Sequence, residues 1–504
     1  MKKRYFFGLL LFWFSTGGFA QTATLKISDT VGTVIDKNIY GQFAEHLGRN
    51  IYDGFYHKGK IRMDVVEALR KIKMPNLRWP GGCFADQYHW RDGIGEVSKR
   101  PNTVNTTWGM MTEDNSFGTK EFMWLCHLIG CEPYIAGNVG TGSPEEMKDW
   151  IEYLNFCGKS SLSDLRAANG HALPYGVSLW GVGNESWGCG GNMTPEYYAN
   201  LYHHFAAFCP DYPNAPLKKI VSGADADDYH WTEVMMKQIP ANEMYGISLH
   251  YYTYPTGKWN PRGSATSFTE AEYAHTLTEA LKMETIVNKH SAIMDKYDPQ
   301  RKVALIVDEW GVWNDVEPGT NPKFMYQQNS LRDALIAAIT LNIFNNHADR
   351  IKGANLAQAV NVIQSLILTK GDKMLLTPTY YVFDLYQVHQ DAKLLPVQLS
   401  SPKYKVEDRV NSINASASQD KDGVIHISLV NLDAHQSISV KTGLPLLVRG
   451  TVSAEILTSE HFTDINTFEQ PDKIKIQPFS HFKINNNQLR TELPPLSVVL
   501  LTIK

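Results

Sequence analysis

Short, nearly continuous apolar runs alternate with longer amphipathic stretches between residues 38 and 384. Such runs are typical of strands buried on both faces of a parallel sheet, and the amphipathic stretches between them indicate helices. Eight strands alternating with helices predict an α/β fold, a (β/α)8 TIM barrel over residues 38–384. The predicted strands are Asn38–Phe43, Asn76–Trp79, Pro133–Asn138, Ser178–Val182, Lys219–Ser222, Tyr245–His250, Val303–Val307 and Gly353–Gln358.

Several of the helical stretches carry start signals. Ser143-Pro144-Glu145-Glu146 combines a capping box with proline at the first helical position, which predicts a helix over Met147–Phe156. Thr194-Pro195-Glu196 opens a second helix in the same way. Two long amphipathic stretches, Phe268–Tyr297 and Leu331–His347, predict two more helices.

The pattern changes after residue 384. Val424–Leu429 alternates apolar and polar positions, Leu496–Ile503 is a final apolar run, and Gly, Asn, Asp and Pro separate such segments. This pattern predicts a C-terminal antiparallel β-sandwich, jelly-roll-like, over residues 385–504. The strand-like segment Thr22–Ile35 falls outside the eight barrel strands, so we expect residues 21–37 to join the sandwich.

The first 20 residues have the pattern of a signal peptide. Lys2, Lys3 and Arg4 are basic, Tyr5–Phe14 is apolar, and Gly18-Phe19-Ala20 offers small residues at a cleavage site. The apolar run is shorter than the ~20 residues of a membrane-spanning helix. The sequence therefore predicts cleavage after Ala20 and export to the periplasm or the medium, with no membrane partner.

Charge and cysteine usage exclude several classes of function. The net charge is −4, and no cluster of Lys and Arg follows the first 20 residues, which argues against nucleic-acid partners. The six cysteines form no C-x-x-C pair, which excludes a zinc ribbon and a thioredoxin-like motif. An exported chain can form disulfides, and the sequence leaves their pairing open. We expect no metal and no cofactor.

Two glutamates stand at the ends of predicted barrel strands. The fourth strand runs into Gly183-Asn184-Glu185 and the seventh into Asp308-Glu309-Trp310. Catalytic groups of such barrels lie at the C-terminal ends of strands, and retaining glycosidases need two carboxyl groups about 5 Å apart. One glutamate would most simply be a solvated loop residue. Two glutamates, one after the fourth strand and one after the seventh, favour a catalytic pair, and Asn184 directly before Glu185 adds to this.

With these motifs in place, the chain resembles the α-L-arabinofuranosidases of glycoside hydrolase family 51. The resemblance extends from near Ile39 to the terminal strand. It implies an exo-acting retaining hydrolase that releases terminal α-L-arabinofuranosyl groups from plant oligosaccharides or polysaccharides, and a homo-oligomer, possibly a hexamer. Besides the two glutamate motifs, it is carried by Tyr40–Arg49 (YGQFAEHLGR), Leu77–Phe84 (LRWPGGCF), Ser248–Tyr252 (SLHYY) and Leu356–Asn361 (LAQAVN).

The resemblance also implies residue roles. Glu185 would be the acid/base and Glu309 the nucleophile, while Asn184 would bind the sugar 2-hydroxyl. Gly311 and Cys83 stand where Asn is common in the family, although a cysteine is also found at the latter position. The implied substrate-binding residues are Glu45, Asn184, Tyr252, Gln358, His250, Cys83, Phe43, Trp108 and Trp313.

Several of these residues have a purely structural alternative. Glu45 could form an ion pair with neighbouring His46 or Arg49, and His250 could be a hydrogen-bonded core histidine. Phe43 and Trp313 could be ordinary packing residues.

Three other functions compete at this stage. An endo-β-glucanase or xylanase would use the same catalytic pair and would differ in the loops near Trp90–Asn115. A non-catalytic carbohydrate-binding protein would be expected to lack one of the two glutamates. A metal-dependent hydrolase would need a ligand cluster that the sequence does not display.

Overall fold

A computed structural model describes residues 21–445, 451–485 and 488–504. The predicted signal peptide, residues 1–20, lies outside the described residues. The predicted barrel is confirmed: eight parallel strands close on one another in chain order, with the eighth beside the first. These first to eighth barrel strands are Gly41–Phe43, Asn76–Trp79, Glu132–Gly137, Leu179–Val182, Lys218–Asp225, Gly246–Thr253, Ala304–Val312 and Ile351–Leu356.

The first barrel strand is shorter than its apolar run. Lys37–Tyr40 forms a 3-10 turn, capped by the Asp36 side chain, and the strand begins only at Gly41. It pairs with the eighth strand through Gly41 and with the second through Gln42. Because all eight strands are parallel, their C-terminal ends lie together at one mouth of the barrel.

The helices surround this barrel. Ser143 accepts a hydrogen bond from the Glu146 N–H and Thr194 from the Tyr197 N–H, so the two proline-led helix starts are confirmed. Helices α1 to α9 are Met63–Lys71, Thr119–Ile129, Pro144–Asn155, Ser161–Ala168, Pro195–Ala206, Tyr229–Gln238, Glu270–Tyr297, Leu331–Asn346 and Pro378–Tyr386. Among the described residues no helix is both long and apolar enough to cross a bilayer.

The C-terminal domain consists of two packed sheets. Adjacent strands are antiparallel except that Gln21–Ile27 runs parallel to Ile438–Gly443. The five-stranded sheet has the order Val397–Ser400, Gln21–Ile27, Ile438–Gly443, Gln488–Leu493, Phe482–Asn485. The six-stranded sheet has the order Lys393–Leu394, Ile413–Gln419, Ile425–Asn431, Ser497–Ile503, Val452–Thr458, Gln477–Pro478.

Helix α8 packs against strands of the C-terminal domain. Its Asn342 donates to Asn414 at 2.8 Å and accepts from the Ser416 hydroxyl at 2.7 Å. Buried apolar residues of barrel and sandwich, among them Phe344 and Val498, belong to one continuous cluster. The sandwich therefore packs against the outer helices.

Four short hairpins complete the described fold. The hairpin Thr103–Asn105 and Met111–Glu113 lies in the loop after the second barrel strand and carries Trp108. The others pair Tyr56–His57 with Lys60–Ile61, Ile367–Lys370 with Lys373–Leu376, and Lys403–Tyr404 with Glu407–Asn411.

Candidate active site

Glu185 and Glu309 face each other at the mouth of the barrel. Glu185 follows the fourth strand and Glu309 lies within the seventh. An oxygen of each carboxyl group and a ring nitrogen of His250 all lie within 4.8 Å of one another. Carboxyl pairs of retaining glycosidases are about 5–5.5 Å apart, whereas those of inverting enzymes are about 6.5–9.5 Å apart. The spacing therefore suits direct attack by one carboxylate and is shorter than the separation found in inverting enzymes.

Glu309 is buried among hydrogen-bond donors. The Tyr252 hydroxyl donates to its Oε2 at 2.8 Å, and Arg78 Nη1 donates to its Oε1 at 2.8 Å. The side chain is only 7% exposed. A guanidinium and a phenol at the two oxygens match the charge of an ionised carboxylate.

Gly82 leaves the space that Glu309 occupies. A Cβ atom on Gly82 would lie 2.7 Å from Glu309 Oε1 and 3.3 Å from the Phe43 ring. Any other residue at this position would therefore press on the carboxylate. The sequence pattern alone favours a tight strand-end bend for Gly81-Gly82; the close approach of the backbone to Glu309 is an additional reason for glycine.

The backbone turn after the fourth strand fixes Glu185. Its φ is +39°, in the left-handed region that residues with a side chain rarely adopt. The Glu185 carbonyl accepts hydrogen bonds from the N–H groups of Gly188 at 2.7 Å and Gly190 at 3.1 Å. Such a conformation costs on the order of 1–3 kcal/mol and is found mainly at functional sites.

The carboxyl group of Glu185 holds its proton more tightly than an exposed glutamate. Burial raises its pKa, and the nearby charge of Glu309 raises it further. His250 acts in the opposite direction, because its Nδ1 lies 2.8 Å from Glu185 Oε1. The net direction is upward.

His250 bridges two acidic groups. Its Nδ1 faces Glu185, and its Nε2 lies 3.2 Å from Asp308 Oδ1. Burial alone would lower the pKa of His250, but Glu309, Asp308 and Glu185 outweigh it and raise that pKa well above its ordinary value. The raised pKa favours the doubly protonated imidazole, which has an N–H for each neighbour. It packs in the core, as the structural alternative expects, but it also contacts the catalytic pair.

Asp308 anchors this charge network from beneath. The Tyr134 hydroxyl donates to its Oδ2 at 2.7 Å, and Arg78 Nε lies 3.4 Å from the same oxygen. Burial would raise the pKa of Asp308, but Arg78, His250 and Tyr134 together bring it below its ordinary value. The lowered pKa favours the ionised form of Asp308, which lies between Arg78 and His250.

Glu45 accepts four hydrogen bonds. Its Oε1 receives the N–H groups of Gly82 at 3.1 Å and Phe84 at 3.0 Å and the Trp108 indole at 2.9 Å, while Gln358 donates to Oε2 at 3.0 Å. Burial raises the pKa of Glu45 to about 7.

Glu45 does not form the ion pair with His46 or Arg49 that was its structural alternative. His46 lies 3.3 Å from Glu113, and Arg49 donates to the Thr369 carbonyl at 3.0 Å. Glu45 instead joins the loops after the second and eighth strands beside the catalytic pair.

Three residues of the site, Arg78, Asp86 and Asp308, carry no distinctive sequence signal. Arg78 contacts Glu309, Asp308 and the Asn184 side chain at once. Asp86 accepts from the Asn184 N–H at 3.2 Å and from two N–H groups of the third-strand loop, and burial raises its pKa to about 7. The sequence offers two hints of their roles. Arg78 lies inside the apolar run Asn76–Trp79, and Asp308 directly precedes the catalytic candidate Glu309.

Cys83 and Cys189 form a disulfide across the mouth, with Cα atoms 5.4 Å apart. It joins the loops after the second and fourth strands, and the Cys189 sulfur lies 3.3 Å from Glu185 Oε2. The sequence left this pairing open. A disulfide sulfur has no hydrogen to donate, so Cys83 offers a sugar an apolar surface.

Aromatic side chains line the space around the pair. Phe43 lies 4.7 Å from the Arg78 guanidinium, and the rings of Tyr252 and Trp313 meet edge to face at 4.8 Å. Trp108 contributes its indole N–H to Glu45. All of the substrate-binding candidates named from the sequence are thus near Glu185, Glu309 or Glu45.

The donor set is poorly suited to a metal ion. Within the described ranges, two groups of potential ligands exist: Cys83, Glu185 and Cys189, and Glu185, His250 and Glu309. The two cysteines are joined in a disulfide and so offer no thiolate. Both ring nitrogens of His250 already face carboxyl groups, and Glu309 already has a guanidinium partner.

Comparison with known proteins identifies the family. The model of the α-L-arabinofuranosidase 1 domain matches residues 68–275, and that of the α-L-arabinofuranosidase C-terminal domain matches residues 308–497. An intracellular exo-α-L-arabinofuranosidase of Bacteroides ovatus is 48% identical, with 96% of each chain covered. The chain belongs to the α-L-arabinofuranosidases of glycoside hydrolase family 51. It is a glycoside hydrolase, as the sequence predicts.

Solved family 51 structures agree with the fold. The arabinofuranosidase of Xanthomonas axonopodis pv. citri superposes with a TM-score of 0.94 at 47% identity, covering 96% of this chain and 100% of that one. The α-L-arabinofuranosidase of Thermotoga maritima, solved as an arabinose complex, has a TM-score of 0.84 at 29% identity, with the same coverage.

The expectation of export is wrong. The Bacteroides ovatus relative, which matches over nearly the whole length of both chains, is named an intracellular enzyme. A signal peptide, secretion and a periplasmic location are therefore unsupported for this family 51 member. A short basic and apolar N-terminus is a weak signal, because few residues make the pattern. The predicted homo-oligomer stays a prediction.

Proposed function

We propose that this enzyme is an exo-acting α-L-arabinofuranosidase that retains configuration, with Glu185 as acid/base and Glu309 as nucleophile. The observation that carries the proposal is the separation of at most 4.8 Å between oxygens of the two carboxyl groups. The name of the Bacteroides ovatus relative supports the sugar and the exo mode.

In the first step Glu309 attacks the anomeric carbon. The lone pair of its carboxylate forms the new bond as the bond to the leaving oxygen breaks. The proton of Glu185 passes to that oxygen, so the leaving group departs as a neutral alcohol. Arg78 and Tyr252 hold the attacking carboxylate in position throughout.

In the second step water attacks the same carbon. Glu185, now a carboxylate, accepts a proton from the water, and the bond to Glu309 breaks. Each step inverts the anomeric carbon once, so the sugar leaves with its original α configuration. Asn184, Glu45 and Gln358 supply the polar contacts to the sugar hydroxyls.

Product stereochemistry tests the proposal. Proton NMR in the first minutes of hydrolysis of 4-nitrophenyl α-L-arabinofuranoside should show α-arabinofuranose before mutarotation. A β first product would mean an inverting enzyme. Failure to cleave this substrate, together with cleavage of a soluble β-glucan, would overturn the substrate assignment.

Trapping tests the nucleophile. A slow-turnover arabinofuranosyl inactivator followed by peptide mapping should place the label on Glu309. Glu309→Ala should form no glycosyl-enzyme with any leaving group, whereas the neighbouring variant Glu45→Gln should still become labelled at Glu309. A label on Glu45 would contradict the assignment.

A further inference from the structure

The loop after the sixth barrel strand presents an exposed tryptophan beside the active site. Trp259 is 59% exposed, and most other tryptophans in the described residues are buried. Its ring meets Trp313 at 5.1 Å and Tyr254 at 5.8 Å, both edge to face. Trp313 in turn contacts Tyr252, which donates to Glu309. A row of aromatic rings therefore leads from the nucleophile to the rim of the pocket.

Trp259 is held in a fixed position. The Arg262 guanidinium lies 4.8 Å from the ring centroids of both Trp259 and Trp313 and so links the two indoles. Asp315, from the loop after the seventh strand, accepts the N–H groups of Arg262 at 3.0 Å and Gly263 at 2.9 Å. The exposed indole therefore costs little further ordering when a ligand packs on it.

The row runs outward from the sugar pocket, from Tyr252 through Trp313 to the exposed Trp259. An exo-acting enzyme encloses only the terminal sugar in its pocket, so the part of the substrate that lies over the rim is the leaving group.

We propose that Trp259, with Tyr254 beside it, is a platform for the sugar ring on the leaving-group side of the scissile bond. This inference rests on the proposed function and names its specificity-determining residue. An indole is a large, rigid apolar surface that matches the C–H face of a sugar ring. The Arg262 guanidinium, which lies over the Trp259 ring, brings N–H donors close to where the hydroxyls of that sugar would lie.

The test compares two substrates that both need protonation by Glu185. One is an arabinofuranosyl oligosaccharide, and the other is methyl α-L-arabinofuranoside, whose leaving group has no ring to stack. We expect Trp259→Ala to lower kcat/KM for the oligosaccharide, relative to kcat/KM for the methyl glycoside, roughly tenfold. Most of this change should be a higher KM for the oligosaccharide. Trp259→Phe should restore most of the ratio, since it keeps an aromatic face.

Trp124 provides a matched control. It is 51% exposed, but it stacks on His127 of helix α2 and lines a separate groove of about 610 Å³ with Leu173 and Tyr175. Trp124→Ala should leave both substrates unaffected. An unchanged ratio in Trp259→Ala, or the same change in Trp124→Ala, would overturn the platform.

The outcomes separate this inference from the proposed function. If the wild-type protein releases arabinose from neither substrate, the proposed function fails. If it cleaves both while the ratio does not respond to Trp259, only the platform fails. Arabinotriose and arabinosyl-xylotriose, assayed in parallel, show which ring occupies the platform. If Trp259→Ala impairs arabinotriose, the ring is a furanose; if it impairs arabinosyl-xylotriose, the ring is a pyranose.

Discussion

The proton affinity of Glu185 depends on the charge of Glu309. While Glu309 is a free carboxylate, its charge helps to raise the pKa of Glu185. Formation of the glycosyl-enzyme turns Glu309 into a neutral ester and removes that contribution. The pKa of Glu185 then falls, so the same side chain can serve as acid in the first step and base in the second.

Glu185→Ala should separate these two steps. An oligosaccharide needs protonation of its leaving oxygen, so its kcat/KM should fall by about 100- to 10,000-fold. An aryl glycoside with an acidic phenol should still form the glycosyl-enzyme, seen as a burst of phenol, and turn over slowly for want of a base. The basic limb of the pH profile of kcat/KM, which lies above the ordinary glutamate range in the wild type because the pKa of Glu185 is raised, should disappear.

Equal losses on both substrates would mean that Glu185 has another role. Glu146→Ala, a surface glutamate that pairs with His89, is the control and should leave the pH profile unchanged.

At the residue scale, the sequence predicted the carboxyl pair and named Tyr252 and His250 beside it, but it did not predict the contacts of Arg78 and Asp308. Glu185 and Glu309 each follow an apolar run in the sequence, and this position alone marks them as candidates. Arg78 lies between apolar neighbours in its strand and Asp308 lies next to Glu309. Their roles arise from contacts with residues more than 100 positions away, such as Arg78 with Glu309 and Asp308 with Tyr134. Such contacts exist only after the barrel has closed, so no local pattern reports them.

At the scale of elements, the disulfide between Cys83 and Cys189 ties two mouth loops together. The bridge spans 106 residues of chain and lies against Glu185. The double variant Cys83→Ser/Cys189→Ser should lose about 2–4 kcal/mol of unfolding free energy. Its kcat/KM should fall about tenfold to a hundredfold, because the loop that positions Glu185 gains freedom. Thermal denaturation and kinetics measure the two effects.

Cys157→Ser is the control for this variant, because Cys157 is exposed and free. It should change neither quantity. If denatured, non-reduced wild-type protein titrates with six thiols, the bridge does not form.

The bounds of the seventh barrel strand show where the sequence prediction and the structure differ. The seventh strand was predicted to end at Val307 but continues to Val312, so Glu309 is part of the sheet. Polar Asp308 and Glu309 end the apolar run without ending the strand, because Arg78, His250 and Tyr252 satisfy them inside the barrel. Buried polar partners on other strands are invisible in the sequence.

At the scale of the whole molecule, barrel and sandwich share one apolar cluster. Leu25, from the first described strand, lies in the sandwich core and is 2% exposed, while Lys26 on the opposite face is exposed. Leu25→Ala should lower the free energy of unfolding by about 2–5 kcal/mol. Because the domains share buried contacts, loss of activity and loss of near-UV circular dichroism should coincide on heating.

Lys26→Ala should lower the free energy of unfolding by no more than about 0.5 kcal/mol. Two separate transitions in Leu25→Ala would show that the sandwich unfolds independently of the barrel. The domain arrangement was predictable because each domain has its own hydrophobic period; the contacts of α8 with the sandwich were not, since α8 is buried nearly all round.

The position of Gln21–Ile27 has a consequence for biosynthesis. This strand lies between Val397–Ser400 and Ile438–Gly443, both of which leave the ribosome long after it. At about 5–20 residues per second, some 20–80 seconds separate the synthesis of residue 27 from that of residue 438. The eight barrel strands are complete by residue 356. The barrel can therefore close before the two strands that pair with Gln21–Ile27 have been synthesised. During that interval the apolar face of Ala23, Leu25 and Ile27 is available to chaperones and to other nascent chains.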